Sequence, residues 1–230
     1  LTSPQEQALR WTVGVNYFDG NTPGGTVYGM SPIGPLFAAA ITEQNVETPA
    51  AFGGLYFDVT DKITLSVEGR YQKDKLNQIP KVGTTGAVVT GLAATPLNAS
   101  FTSFSPRVSL DYQITEDTLL YALFSRGYRP GGFNRGTSCQ LRTVVNTGGV
   151  LSGGARQWCV PLSFKSDDLV NKEIGWKTNL MGNRIIFNGA IYRIDWKDVQ
   201  TGIFAPQLGL GNLTVGLNGP AYRVQGAQMQ

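Results

Sequence analysis

The chain has 230 residues, 41% of them hydrophobic and only 15% charged, with a formal net charge of +3 and no histidine. So small and scattered a charge argues against a nucleic-acid partner, and the missing histidine removes His-based triads and the commonest metal ligand. No apolar run approaches the roughly 18 residues that a membrane helix needs.

The first element is a strand at 9–18, LRWTVGVNYF. Leu9, Trp11, Val13, Val15 and Tyr17 alternate with Arg10, Thr12, Gly14, Asn16 and Phe18, which gives one oily and one wet face. The next thirty or so residues are rich in Gly, Pro and Thr and read as a long loop. A second strand runs over about 51–59, and Thr60-Asp61-Lys62 makes a short turn. In the third strand Ile63, Leu65, Val67, Gly69 and Tyr71 oppose Thr64, Ser66, Glu68, Arg70 and Gln72. A low-charge loop from about Lys75 to Thr102 follows.

The fourth strand sets Phe104, Pro106, Val108, Leu110 and Tyr112 against Arg107, Ser109 and Asp111, and it ends in the polar turn 114–117. The fifth, about 118–128, opens into the long stretch that begins Arg126-Gly127-Tyr128-Arg129-Pro130-Gly131-Gly132-Phe133-Asn134 and holds Cys139 and Cys159. The sixth, about 169–180, puts Ile174, Trp176 and Leu180 opposite Glu173, Lys177 and Asn179. Met181-Gly182-Asn183 is a hairpin turn. The seventh, about 184–198, carries Ile185, Phe187, Gly189 and Ile191 on its oily side, giving way to Arg193 and Asp195. A loop from Val199 to Gly219 leads to an eighth strand at 221–230.

The seven connections alternate long and short. Transmembrane β-barrels show this rhythm, with short periplasmic turns and longer extracellular loops, and strands of about 9–11 residues cross the hydrocarbon when tilted. Trp11, Tyr17, Tyr71, Phe104, Tyr112, Trp176 and Trp196 fall near strand ends, where girdle aromatics belong. A soluble antiparallel sheet with one face in a core gives the same alternation. Against it stand the wide Gly, Ser, Thr, Arg and Glu faces, which suit a hydrated lumen. The expected fold is therefore all-β, an antiparallel up-and-down transmembrane barrel wall.

The run SFSPRVSLDYQITEDTLLYALFSRGYRPGGFN resembles the mid-barrel hairpin of TonB-dependent outer-membrane receptors. LVNKEIGWKTNLMGNRIIFNGAIYRIDWKDVQ resembles the hairpin that follows it, through Glu173 and Gly175, the Gly182-Asn183-Arg184 turn and Trp196-Lys197-Asp198. The resemblance implies a 22-stranded barrel around an N-terminal plug. Residues 1–230 are then expected to be one partial barrel domain, an internal piece with about eight strands and neither plug nor energy-coupling segment. The missing initiator Met and the strand in progress at Gln230 fit that expectation. The implied location is the outer membrane of a Gram-negative cell. The implied partners are outer-membrane lipid, a siderophore or other small ligand, and the TonB energy-coupling protein through the missing N-terminal region.

Ligand recognition in such receptors lies in extracellular loops and upper lumen side chains. That points to Arg126, Tyr128, Arg129, Phe133, Asn134 and Arg135, since Arg beside aromatic rings suits anionic ligands with aromatic parts. The plainer account of the same residues is a strand-to-loop signature with ordinary turn chemistry, and it carries more weight. If the loop is extracellular, Cys139 and Cys159 are expected to form a disulfide, with two free thiols as the alternative. Glu68 with Arg70, Arg107 with Asp111, and Glu173 with Lys177 share wet faces and read as charges lining a lumen. With no phosphate-binding Gly loop, no CxxC and no metal cluster, neither an enzyme nor a cofactor is expected. Energy-coupled import of a ferric siderophore or similar nutrient is the leading reading. A passive porin or structural barrel is the second, and a barrel enzyme, which would use histidine, the third.

Overall fold

The computed structural model describes residues 1–4, 6–25, 41–81, 96–134, 161–182, 184–204 and 214–230. Its strands are β1 (Leu9–Gly25), β2 (Ile41–Thr60), β3 (Ile63–Lys81), β4 (Leu97–Thr115), β5 (Thr118–Arg129), β6 (Gly132–Phe133), β7 (Ser163–Phe164), β8 (Asp167–Leu180), β9 (Ile185–Lys197), β10 (Gln200–Phe204), β11 (Thr214–Asn218) and β12 (Tyr222–Met229). Eight of them form one antiparallel sheet in the order β1-β2-β3-β4-β5-β8-β9-β12. Each long strand thus pairs with the next long strand in the chain, an up-and-down meander. The remaining four make two small ribbons, β6-β7 and β10-β11.

The register carries the alternation of the sequence coherently across the sheet. One row runs Trp11, Leu55, Val67, Val108, Phe124 through direct cross-strand partners. Another runs Leu65, Leu110, Ala122, Ile174, Ile191, Ala227. Since directly opposed residues share a face, these rows form a single apolar outer surface. Among the described residues nothing covers it: Val15 is 84% exposed, Ile174 68% and Ile191 64%. A soluble sheet would bury this face against a second layer. Only Ala50, Leu76, Ala190, Val199 and Val215 are buried hydrophobics among the described residues, so there is no conventional core. On β3 the apolar positions extend from Ile63 to Tyr71, close to the roughly 9–11 residues a tilted strand needs to cross hydrocarbon.

Two of the expected long loops are shorter than the sequence pattern suggests. β1 continues to Gly25 and β2 begins at Ile41, paired without interruption from Leu9↔Phe57 to Gly25↔Ile41. β3 and β4 likewise extend past Lys75 and begin before Thr102. Beyond the apolar band both faces are wet, so the period-two signal fades while the backbone ladder continues. Polar side chains replace it there: Thr48 Oγ1 donates to Asp74 at 2.8 Å, Gln72 Nε2 to Asp74 at 3.0 Å, and Lys75 pairs with Glu47 at 3.1 Å. The β2–β3 ladder skips Thr48-Pro49, where proline has no N–H to give.

The short-turn ends are tight. Met181 and Gly182 both adopt left-handed backbone conformations, with φ of 54° and 63°. The second of them falls to glycine, which takes that region without steric cost. Next to this turn, Trp176 lies across Gly189 on the facing strand, where a Cβ would run into the indole ring. The large ring on one strand fills the space that the missing side chain leaves on the other.

Candidate functional site at the long-loop end of the inner face

The inner face carries a set of polar pairs. Arg10 binds Asp58 through two hydrogen bonds of 2.5 and 2.8 Å, and Thr64 Oγ1 donates to the same carboxylate at 2.8 Å. Glu68 accepts from Tyr56 Oη at 2.7 Å and from Arg107 Nη1 at 3.0 Å. Glu173 accepts from Tyr121 Oη at 2.6 Å, and Lys177 stands 5.8 Å from the centre of the Tyr121 ring. The three expected charge sets do share this face. Their bonds nevertheless do not join the expected partners: Arg70 donates to Gln72, two positions along its own strand, and reaches Asn16, while Arg107 takes Glu68 across the β3–β4 ladder. Glu68 is the direct cross-strand neighbour of Arg107, closer than Asp111 four positions along β4, and that distance decides the Arg107 pairing.

At the long-loop end these pairs give way to a denser group around Asp167. Asp167 is 3% exposed. It pairs with Arg129, its direct cross-strand partner, and accepts from Trp196 Nε1 at 3.1 Å and from the Gln200 amide at 3.3 Å. The Arg129 guanidinium also stands over the Trp196 ring, 5.3 Å from its centre, a cation–π geometry. Burial works against ionisation of the Asp167 carboxyl. The hydrogen bonds from Arg129, the Gln200 amide and Trp196, with the Arg129 charge, outweigh it and hold its pKa below the usual carboxylate value.

The same group ties the loop bases together. Gln200 Nε2 donates to the carbonyls of Pro130 at 2.8 Å and Lys165 at 3.1 Å. Asn218 Nδ2 donates to the carbonyls of Lys165 at 2.9 Å and Asp198 at 2.8 Å, and its Oδ1 accepts from the Lys165 amide at 2.6 Å. Asn134, 5% exposed, donates to the carbonyls of Pro161 at 2.7 Å and Gly216 at 2.8 Å and accepts from the Gly216 amide at 2.7 Å. One asparagine side chain therefore clamps the β6-β7 ribbon to β11.

The candidate ligand residues divide. Arg129 lies in the inner group and keeps 52% of its side chain exposed. Asn134 is buried with its amide fully engaged, and Phe133 sits in the β6-β7 ribbon opposite Ser163. Tyr128 is half-buried and, two positions on from Arg126 in the unbroken β5–β8 ladder, has the parity opposite to Arg129. Arg126 is not on the inner face. It follows Leu120, Ala122 and Phe124 in parity and pairs with Asp168 on the outer face at 2.7 Å. Arg135, Cys139 and Cys159 lie outside the described residues.

Sequence reasoning missed Asp167, Gln200 and Asn218, and it placed Trp196 in the lipid-facing girdle. Trp196 belongs to the inner face because it has the opposite parity to Ile191, Arg193 and Asp195 on β9. That parity was the signal available. The other girdle aromatics, Trp11, Tyr17, Tyr71, Phe104, Tyr112 and Trp176, do stand on the outer face. Among the described residues no group of three or more His, Cys, Asp or Glu could hold a metal ion.

Two comparisons place this architecture. The family model described as TonB dependent receptor-like, beta-barrel, matches residues 2–230. The ferric yersiniabactin uptake receptor FyuA of Yersinia pestis superposes with a TM-score of 0.68 over 99% of this chain and 30% of its own, at 16% identity. The closed form of the ferric-catecholate import receptor Fiu of K12 E. coli gives 0.54 over 96% of this chain and 32% of its own, also at 16% identity. The chain thus spans about a third of the length of these two structures, and identity so low speaks for the fold alone. With the family model matching residues 2–230, the chain belongs to the TonB-dependent receptor-like β-barrel family.

Proposed function

We propose that this chain is a stretch of barrel wall, one partial domain over residues 1–230, in an outer-membrane receptor for energy-coupled import of a ferric siderophore or a similarly scarce nutrient. The observation that carries the reading is Arg129, half-exposed on the inner face at the long-loop end and held over Trp196 by Asp167. A fixed guanidinium beside an indole suits an anionic ligand with aromatic or planar parts, through charge pairing and stacking. Phe133 and Arg135 complete the proposed ligand side, whereas Asn134 serves it indirectly by fixing the loop bases and Tyr128, with the parity of Arg126, stands off it. The short turns then face the periplasm and the long loops the exterior. The plug, the TonB contact and the rest of the barrel belong to the larger receptor in this reading.

The test is uptake of a ferric siderophore by cells that depend on the gene encoding this chain. Uptake should need both that gene and an intact energy-coupling system. Uptake that persists without coupling rejects import by this route and favours the second reading, a passive porin-like or structural barrel. The loop cysteines supply an independent check. In an oxidising extracellular loop Cys139 and Cys159 form a disulfide, so neither should react with a thiol reagent in the non-reduced protein, and labelled thiols overturn the pairing.

A further inference from the structure

Above the Arg107↔Ser125 pair the wall carries a seam. The β4–β5 ladder stops at that pair, although β4 begins at Leu97 and β5 continues to Arg129. The Gln113 amide points to Lys62 before β3, so the even positions of β4, Pro106 among them, point to β5. Pro106 has no N–H to give, and the ladder ends there. On the inner face the row at this height reads Phe52, Arg70, Ser105 on one side of the seam and Gly127, Leu169, Trp196 on the other. The row above sets Gln72 and Ser103 against Arg129 and Asp167. In the next row the Phe101 ring closes the seam against Gly131.

A recess lies along the seam. Beyond its own chain neighbours, a Cβ at Gly127 would meet no described atom within 4 Å, so the inner face is open over that residue. Ser103, only 7% exposed, borders the recess, and its hydroxyl has no hydrogen-bond partner among the described residues. Arg70 flanks it on β3. Arg10, Arg107 and Arg129 on this face each take a carboxylate. Arg70 makes no ion pair among the described residues: it donates to Gln72 at 2.8 Å and reaches Asn16 at 3.5 Å. Gln72 in turn donates to Asp74, which is 3% exposed and also accepts from Thr48. The buried carboxylate thus orients the Arg70 guanidinium through a neutral amide and does not neutralise it. Phe52, the direct cross-strand partner of Arg70, is 40% exposed, with its ring over Gly14 on β1. Each side of the seam therefore presents an arginine beside an aromatic ring.

We propose that this recess is a ligand subsite with Arg70 as its second anion-binding residue, and that its ligand carries at least two separate anionic groups, one for each arginine, around a planar part seated over Gly127. Two strand spacings put the β3 and β5 backbones roughly 10 Å apart, so both guanidinium groups reach one small ligand across the seam. Each offers a planar fork of donors suited to anionic oxygens, and the unpartnered Ser103 hydroxyl adds a donor at the edge. A ligand with a single acidic group engages only one of the two arginines. The inference rests on Arg129 as a ligand residue of the proposed receptor and deepens that reading by assigning the charge of its ligand.

The test measures equilibrium binding to the full-length receptor carrying this chain, purified in detergent, by titration calorimetry. The probes are a trianionic ferric tricatecholate and a neutral ferric trihydroxamate, and the first should bind more tightly by about ten-fold or more. R70Q, which breaks no ion pair, should cost about ten-fold or more in affinity for the tricatecholate and leave trihydroxamate binding unchanged. G127L should weaken tricatecholate binding at least as much by filling the recess, with the fold intact because its Cβ meets open space. K177Q, at the short-turn end of the same face, should leave the preference intact. The heat-induced mobility shift of the barrel on gels reports folding of each variant. Binding needs no energy coupling, so a passive barrel with this subsite would still show it, and failure of the import reading is distinguishable from failure of the subsite. Equal binding of the two complexes, binding of neither, or unchanged tricatecholate affinity in folded R70Q would overturn the proposal.

Discussion

Arg129 and Asp167 face each other across β5 and β8, and the carboxylate between them and Trp196 is among the most buried charged groups described. This pair is the joint between the wall and the loops. Its carboxylate reaches the Gln200 amide at the start of β10, and the Gln200 side chain reaches back to Pro130 and Lys165. Replacing Asp167 by Asn removes the charge and part of the acceptor set. Hydrogen bonds to charged groups contribute roughly 1.5–3 kcal/mol each, and the half-exposed Arg129 recovers water, so the expected loss is about 2 kcal/mol. Denaturant unfolding of the full-length protein in lipid vesicles measures it, and faster hydrogen exchange at Gln200 localises it.

The same carboxylate predicts a pH dependence. Its folded pKa is lowered, so its contribution is complete above the unfolded Asp value of about 3.9 and is lost as pH falls through the lower folded value. Acid should therefore loosen the loop bases of the native protein below about pH 4. The Asp167→Asn variant should show a flatter acid limb, and parallel acid limbs in the two proteins contradict the assignment.

Gly189 beneath Trp176 gives a packing prediction. Gly189→Val places a side chain where the indole lies and should cost about 1–3 kcal/mol, the range for overpacking. Adding Trp176→Ala should recover part of that loss. A double variant no better than Gly189→Val alone would mean that the ring does not depend on the glycine.

How much of this was legible in the sequence follows from where the physics is periodic. Within the apolar band, lipid on one side and water on the other impose a period of two, so the faces of Ile63–Tyr71 and Phe104–Tyr112 are readable residue by residue. Above the band both sides are wet and the period vanishes, so Asp19–Gly25 and Ile41–Ala50 looked like loop although their backbones remain paired. The candidate site suffers from the same blindness. Asp167, Gln200 and Asn218 act through contacts between segments far apart in the chain, and local pattern carries no trace of them. Arg126 and Arg129, three positions apart, looked like one ligand cluster, yet strand parity sends them to opposite faces.

The two faces also differ in what they tolerate. A Lys at Ile174, on the lipid side, should cost about 2–4 kcal/mol near the bilayer midplane. A Lys at Asn171, on the inner face beside Glu173, should cost under about 1 kcal/mol. Folding yields into lipid vesicles, compared for the two variants, check the difference in sign and size.

The most direct test of the barrel-wall account is a nitroxide scan of β3. Labels are placed one at a time from Ile63 to Lys73 in the full-length protein in lipid bilayers, with Cys139 and Cys159 replaced by Ser. Collision with oxygen, which concentrates in lipid, and with a water-soluble nickel chelate is read at each position. The account predicts high oxygen access at 63, 65, 67, 69 and 71, high nickel access at 64, 66, 68, 70 and 72, and a fixed opposition of phase between the two. Equal access to both probes along the strand, or a period of two with protein burial in place of lipid contact on the odd positions, would contradict it.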